Sequence, residues 1–223
     1  MKRIFLSDLH IGDRDSKFFG AFNTVKDENP DVLYLLGDVF DLPTRGKAAR
    51  TAHQVGLHLL HDLSRSMKVK YVFGDRDLEM SGSDSFFEKV SFTAPGDMVL
   101  KDGKRVRFMH GHEYDRHVMS WLPAARVLSQ FNSLLLQAYG AGFDGLKFRL
   151  HRYEERKSFA AMLGKMRRVA LEDNRNVDVL VMGHTHRPED RSEGGLRYLN
   201  TGDWLRSFTY VTEEDGTLFL KHA

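Results

Sequence analysis

Cysteine is absent from this 223-residue chain, which excludes a disulfide framework, a thiolate zinc site and a cysteine nucleophile and fits a reducing compartment. Any metal must then sit on His, Asp, Asn or Glu. Long apolar runs are missing too. The opening Met1-Lys2-Arg3-Ile4-Phe5-Leu6 has only three apolar residues before Ser7-Asp8, too few for a signal-peptide core, and the chain reads as cytoplasmic. The most apolar segment, Val118 to Tyr139, is broken by Pro123, Arg126, Gln130, Asn132 and Gln137 and fails the requirement of roughly 20 apolar residues for a membrane span. Such a segment can still lie on a membrane. Charge of one sign is not in excess: 33 Lys+Arg against 31 Asp+Glu give a formal +2, so net charge offers no case for nucleic acid as a partner. There is no internal repeat and no low-complexity tract.

What is present suits a globular protein: 41% hydrophobic, 29% charged and 11% aromatic residues. A chain of this length buries roughly 70–75% of its unfolded surface, enough for a full core without staples. A single domain over 1–223 is expected. Short β-type runs end in polar, Gly-containing turns: Arg3 to Leu6 before Ser7-Asp8, Val32 to Leu36 before Gly37-Asp38, and Val69 to Phe73 before Gly74-Asp75. Helical patterns at Lys17 to Glu28 and Ala48 to Met67 lie between them, the alternation of βαβ units and a largely parallel sheet. Asp102-Gly103 and Asp215-Gly216 are hairpin signals, so later strands are partly antiparallel and a second sheet is expected. Strand signals stop between about 115 and 176, which reads as a helical insertion or lid. Its first half is apolar, with Trp121, Phe131 and Leu135. Its second half is basic, with Lys147, Arg149, Arg152, Arg156, Lys157, Lys165, Arg167 and Arg168.

Five clusters stand where a strand runs out: Asp8-Leu9-His10, Gly37-Asp38, Gly74-Asp75-Arg76-Asp77, His110-Gly111-His112 and Gly183-His184-Thr185-His186. Strand ends are where ligands bind in open α/β sheets. Each cluster alone has a bland reading, since Asp-x-His is a common turn and Gly-Asp a common turn dipeptide. Gly-His-Thr-His is harder to dismiss, because two imidazoles flanking one residue have little packing use. Carboxylates and imidazoles together suit Mn, Fe, Zn, Co or Ni, and a bridging carboxylate can hold two such ions roughly 3.5–4 Å apart. His53, His58 and His61 share a predicted helix with no carboxylate motif, and a solvated face is expected for them.

The order Asp-x-His, Gly-Asp, Gly-[Asn/Asp]-x-Asp, His-Gly, Gly-His-x-His resembles the calcineurin-like metallophosphoesterases across Ile4 to His186. The resemblance implies an α/β, four-layer αββα sandwich with a helical lid insertion, and a centre of two divalent ions, manganese being the first choice. Carried over by matching positions, Asp8, His10, Asp38 and His186 would hold one ion. Asp38 as bridge, Asp75, His110 and His184 would hold the other. His112 has no ligand place in the pattern.

Two departures bear on the chemistry. Where the broad family has a histidine that can protonate a leaving group, this chain has Arg76, whose guanidinium is not deprotonated in proteins and cannot serve as a proton donor. A phosphate leaving group, with a pKa near 6, departs without a proton. Arg in this place is also what the UDP-2,3-diacylglucosamine hydrolase branch has. That branch resembles this chain further in a helical insertion after His110-Gly111 and in the ending Tyr198-Leu199-Asn200-Thr201-Gly202-Asp203-Trp204. The resemblance implies cleavage of a nucleotide-diphospho-lipid to UMP and 2,3-diacylglucosamine 1-phosphate in lipid A biosynthesis, at the cytoplasmic face of the inner membrane. It implies catalytic roles for Arg76 and Asp38 and substrate contacts from Arg76, Arg149, Arg152, Arg156 and Trp121, with no obligate protein partner. Packing of Trp121 and the other apolar lid residues onto the core is the plain alternative. The second departure is Asp75, where both family and branch have Asn. Two divalent ions against Asp8, Asp38 and Asp75 sum to about +1, against about +2 with Asn, so attraction for a diphosphate falls. Two rival readings therefore stand: a phosphoesterase of a soluble phosphodiester or phosphoprotein, and a protein-binding scaffold with an impaired metal site.

Overall fold

In the computed structural model, residues 1–77, 90–115 and 157–223 are described. The chain divides into two compact units, Met1–His112 with Asn174–Ala223, and Glu113–Asp173. In the first unit, β1 (Lys2–Leu6), β2 (Val32–Leu36), β3 (Lys68–Val72) and β4 (Val90–Phe92) run parallel. The strand β10 (Thr209–Glu214) pairs antiparallel with β1, and β11 (Thr217–His222) antiparallel with β10. The order is β11-β10-β1-β2-β3-β4. Helices α1 (Phe18–Glu28) and α2 (Lys47–Ser66) are the crossovers between β1, β2 and β3. A second sheet holds β5 (Gly96–Val99), β6 (Arg105–Phe108), β7 (Val179–Met182), β8 (Glu189–Glu193) and β9 (Leu196–Asn200) in the order β5-β6-β7-β9-β8. The second unit contains α3 (Lys157–Asp173). No helix among the described residues is long and apolar enough to cross a membrane.

Alternation along the central strands builds two cores. Ile4, Leu6, Leu33, Leu35, Val69 and Tyr71 face one way and are buried with Phe18, Phe22 and Val25 of α1 and Leu60 and Leu63 of α2. Phe5, Tyr34, Leu36, Val72 and Val211 face the other way and meet Val106, Phe108, Val179, Val181 and Leu199 of the second sheet. Because both faces are covered, β2 is apolar throughout, with all five residues buried. This α/β architecture of mixed sheets and helices matches the expected fold class. Elements lie within one to three residues of the sequence reading, apart from β4, β8 and β9, which that reading did not include. The three-residue β4 is too short to leave a pattern, and β8, Glu-Asp-Arg-Ser-Glu, is an edge strand with no apolar residue. Charge along a sheet edge is a known device against edge-to-edge pairing.

Register decides where the chemistry is placed. Leu6 pairs with Leu35 and Leu36 with Val72, so the three parallel strands stop together and Asp8, Asp38 and Asp75 follow at one margin. In the second sheet Phe108 pairs with Val181 and Met182 with Asn200, which aligns the segments carrying His110, His184 and Asp203.

Far from that margin, Glu28 at the end of α1 is an anchor between helix and sheet. Its carboxylate accepts from Tyr210 Oη at 2.8 Å and Lys221 Nζ at 3.3 Å and pairs with Lys2 Nζ. Burial opposes its ionisation, but these donors outweigh it and bring Glu28 down from 4.5 to about 2. A depressed carboxyl stabilises the fold above its unfolded pKa, and the contribution is lost as pH falls through the folded one. Urea midpoints of the protein and of Glu28→Gln should therefore differ most above about pH 4.5 and converge as pH falls through about 2. A difference independent of pH in that window would remove the anchor.

Candidate metal centre

The loops after the strands are laced to one another by main-chain hydrogen bonds: Asp8 N to Gly37 O (3.1 Å), His10 N to Asp38 O (2.9 Å), Gly183 N to His110 O (3.0 Å) and Trp204 N to Asp8 O (3.1 Å). Asp8, His10, Asp38, His184 and His186 all adopt left-handed backbone, with φ between 47° and 66°. Such residues cost on the order of 1–3 kcal/mol each and persist where the surroundings over-determine them. Close approach is what the flanking glycines permit. A Cβ on Gly74 would lie 2.1 Å from Asp38 Oδ1, and one on Gly37, whose φ is +79°, would lie 2.5 Å from the His110 ring.

Two ligand groups result. Asp38, Asp75, His110 and His184 offer atoms within 4.8 Å of one another, as do Asp8, His10 and His186. Asp38 stands between them, with Oδ1 at 3.5 Å from His110 Nε2 and Oδ2 at 3.8 Å from His10 Nε2. Asp75 Oδ1 is 3.4 Å from His110 Nε2 and 3.5 Å from His184 Nδ1, so its carboxylate reaches both imidazoles of that group. Arg76 contributes twice: its N–H donates to Asp38 Oδ1 at 2.9 Å, and its guanidinium Nε lies 3.8 Å from Asp75 Oδ2. The sequence-level residues Asp8, His10, Asp38, Asp75, Arg76, His110, His184 and His186 are thus gathered at one margin. Trp121, Arg149, Arg152 and Arg156 lie outside the described residues. His112 lies tilted beside His110 and edge-on to His184, with ring centroids 5.4 and 6.4 Å away, and belongs to neither group. His58 and His61 are exposed, but His53 instead packs its ring against Phe40 beside Gly12.

The donor set fits cations. Asp8 is fully buried, its Oδ2 taken by Ser7 Oγ and His184 N, while its Oδ1 has no hydrogen-bond partner among the described residues and lies 3.4 Å from His186 Nε2. An orphaned buried carboxylate oxygen beside two imidazoles is a coordination position. Without a cation the charges are unbalanced. Burial pushes the Asp38 carboxyl up, and the neighbouring carboxylates of Asp75 and Asp8 add to this against His110. Burial would lower His110, but Asp75, Asp38 and Asp8 raise it to about 9.

Sequence reasoning missed the residues that hold this arrangement. Asp77 is fully buried and accepts from Val39 N (2.9 Å), Tyr71 Oη (2.6 Å) and Gly74 N (2.6 Å), clamping the Asp38 loop to the Asp75 loop. Asp203 holds His186, and Ser7 Oγ joins Asp8 to Thr201 Oγ1 at 2.6 Å. The available signals were Asp77 at the close of the third cluster and Asp203 in the last turn. His110 Nδ1 meets Leu36 O at 2.8 Å, which leaves Nε2 for the group.

Because a proton and a metal compete for His110, divalent-ion binding should release protons below about pH 9 and weaken as pH falls. Calorimetry in buffers of different ionisation enthalpy reads the release, and a heat independent of buffer would contradict it. Gly74→Ala, which places a methyl on Asp38, should lower divalent-ion affinity at least tenfold while circular dichroism stays unchanged; unchanged affinity would contradict the crowding argument.

A sequence profile of the calcineurin-like phosphoesterase superfamily domain matches residues 1–217. Among curated proteins, the UDP-2,3-diacylglucosamine hydrolase of Psychromonas ingrahamii is 26% identical over 95% of this chain and 93% of its own length. The protein of that name from Shewanella putrefaciens is 24% identical over 92% of this chain and 90% of its own. Among solved structures, an archaeal phosphodiesterase (TM-score 0.51, 14% identity, 99% of both chains) and the E. coli phosphoesterase Yfce (TM-score 0.51, 18% identity, 98% of this chain and 91% of that one) share the fold. With the profile spanning nearly the whole chain and the ligand groups assembled at the margin where both sheets end, the chain belongs to the calcineurin-like phosphoesterase superfamily and is a metal-dependent hydrolase.

Proposed function

We propose that this protein hydrolyses the pyrophosphate bond of UDP-2,3-diacylglucosamine, releasing UMP and 2,3-diacylglucosamine 1-phosphate. The observation that carries the reading is Arg76 in the turn after β3, where it donates its backbone N–H to Asp38 and keeps a guanidinium beside Asp75. A fixed cation with no transferable proton suits a phosphate leaving group, which needs none. Relatives named for this reaction align with more than nine-tenths of the chain, which supports the same substrate.

In this reading Asp8, His10, Asp38 and His186 hold one divalent ion, and Asp38, Asp75, His110 and His184 hold the other. The ions, manganese by our choice from the all-carboxylate and imidazole donor set, would supply Lewis acidity to the phosphoryl oxygens and acidify the attacking water. Arg76 binds non-bridging oxygens as charge builds on them. Asp75 keeps the site about one charge less positive than Asn would. The apolar and then basic sequence between 117 and 168, with Trp121, Arg149, Arg152 and Arg156, suits acyl chains and anionic headgroups and a peripheral position on the inner membrane, each basic residue near an anionic surface adding about 1 kcal/mol.

Mass spectrometry of products from UDP-2,3-diacylglucosamine and manganese should detect UMP, with none in the presence of a chelator. Arg76→Ala should lower kcat by about 100-fold with bound metal unchanged, and Asp75→Asn should retain turnover. Turnover of bis-p-nitrophenyl phosphate without UMP release would discard the lipid substrate and leave a phosphoesterase of soluble esters.

A further inference from the structure

The last turn of the second sheet holds a carboxylate that no ligand pattern includes. Asp203 is 2% exposed and follows β9 by three residues. Its Oδ2 meets His186 Nδ1 at 2.9 Å. Its Oδ1 accepts from Arg206 N at 2.9 Å, Ser207 N at 2.8 Å and Ser207 Oγ at 3.1 Å. Three donors on one oxygen lock the side chain and leave the other oxygen for a single partner. The turn is tied to the first ligand group again through Trp204 N, which donates to Asp8 O at 3.1 Å.

A carboxylate can only accept here, so Nδ1 of His186 carries the proton, and in the neutral ring Nε2 keeps its lone pair. That Nε2 lies 3.4 Å from Asp8 Oδ1 and 3.3 Å from His10 Nε2. His110 has its tautomer set by a backbone carbonyl, Leu36 O, within the sheet. His186 has left-handed backbone in a loop and lacks that support. A charged acceptor both orients the ring and makes Nε2 a stronger donor to a cation.

We infer that Asp203 is a positioning residue for one ion only: it fixes the tautomer and orientation of His186 and thereby sets affinity at the Asp8–His10–His186 group, leaving the Asp75–His110–His184 group unaffected. The inference rests on the ligand reading under Proposed function, and its test does not use turnover.

Manganese titration of the full chain, followed by calorimetry and electron paramagnetic resonance, separates the two failures. The unsubstituted protein should bind two ions and give the spectrum of an exchange-coupled pair. In Asp203→Asn one dissociation constant should rise about 10- to 100-fold and the other by less than twofold, with a single uncoupled manganese at intermediate loading. His186→Asn should weaken the same site, and adding Asp203→Asn to it should cost nothing further, because the carboxylate acts through that imidazole. Additive losses in the double variant, equal weakening of both sites, or an unchanged pair in Asp203→Asn would each overturn the inference while leaving the two-ion reading intact. Failure of the unsubstituted protein to bind manganese would overturn both. Nitrogen-15 spectra of the unsubstituted protein decide the matter even where Asp203→Asn does not fold: a proton on His186 Nδ1 supports the inference, and a proton on Nε2 alone overturns it.

Discussion

A buried carboxylate with a different partner on each oxygen constrains everything around it, and Asp38 has that position. Oδ1 takes the Arg76 amide and faces His110, while Oδ2 faces His10. The loops after β1, β2 and β3 and the His110 segment of the second sheet therefore share one reference point. That geometry requires Gly74 to come within a distance no side chain tolerates, and it requires Asp38 itself to take left-handed backbone. Residues of this kind carry strain, and the surrounding strand registers are what keep it in place. The strain sits at the margin of the sheets, where the packed cores on either face of β2 supply rigidity without being interrupted.

The same crowding is an electrostatic problem. Asp8, Asp38 and Asp75 converge with four imidazoles, and two of the carboxylates, Asp8 and Asp38, are nearly inaccessible to water. Burial pushes the Asp38 carboxyl up and the neighbouring carboxylates add to it, while the same charges draw a proton to His110 against the burial that would lower it. Divalent cations would resolve this directly, replacing the protons and satisfying the Asp8 oxygen that has no hydrogen-bond partner among the described residues. Folding and metal binding would then be coupled through the same few atoms, which Asp77, Asp203 and Ser7 hold in place.

Legibility followed the physics of each element. The strand β2 was read to the residue because burial on both faces leaves a continuous apolar run, and the Asp102-Gly103 and Asp215-Gly216 hairpins because their turns need particular residues. The strand β8 was invisible because an edge strand selected for charge has no hydrophobic period. At the centre, residues facing the metal groups were legible because each sits in a short polar cluster at a strand end. Asp77 and Asp203 were not, because a carboxylate that accepts backbone amides looks in sequence like any turn aspartate. His53 was misread for a related reason. Helical periodicity places it on the polar side of α2, yet Gly12, lacking a Cβ, opens a place for its ring beside Phe40.

Asp75 and Arg76 are best understood together. In a centre proposed to attract a diphosphate, a carboxylate in place of a neutral amide is unfavourable taken alone. Here the next residue brings a permanent cation whose Nε lies 3.8 Å from the added charge. Both side chains are about two-fifths exposed, so the pair is screened and its own contribution to stability is small. Its importance is for local charge: a guanidinium beside Asp75 partly cancels the field the carboxylate would project toward an incoming phosphate, while the carboxylate still faces His110 and His184. In the proposed reaction the cancellation would be incomplete, since a guanidinium drawn to phosphate oxygens is drawn away from Asp75. The Asp75 charge would then favour holding a cation over that cation's power as an electrophile, and an amide at 75 would shift the balance toward activation.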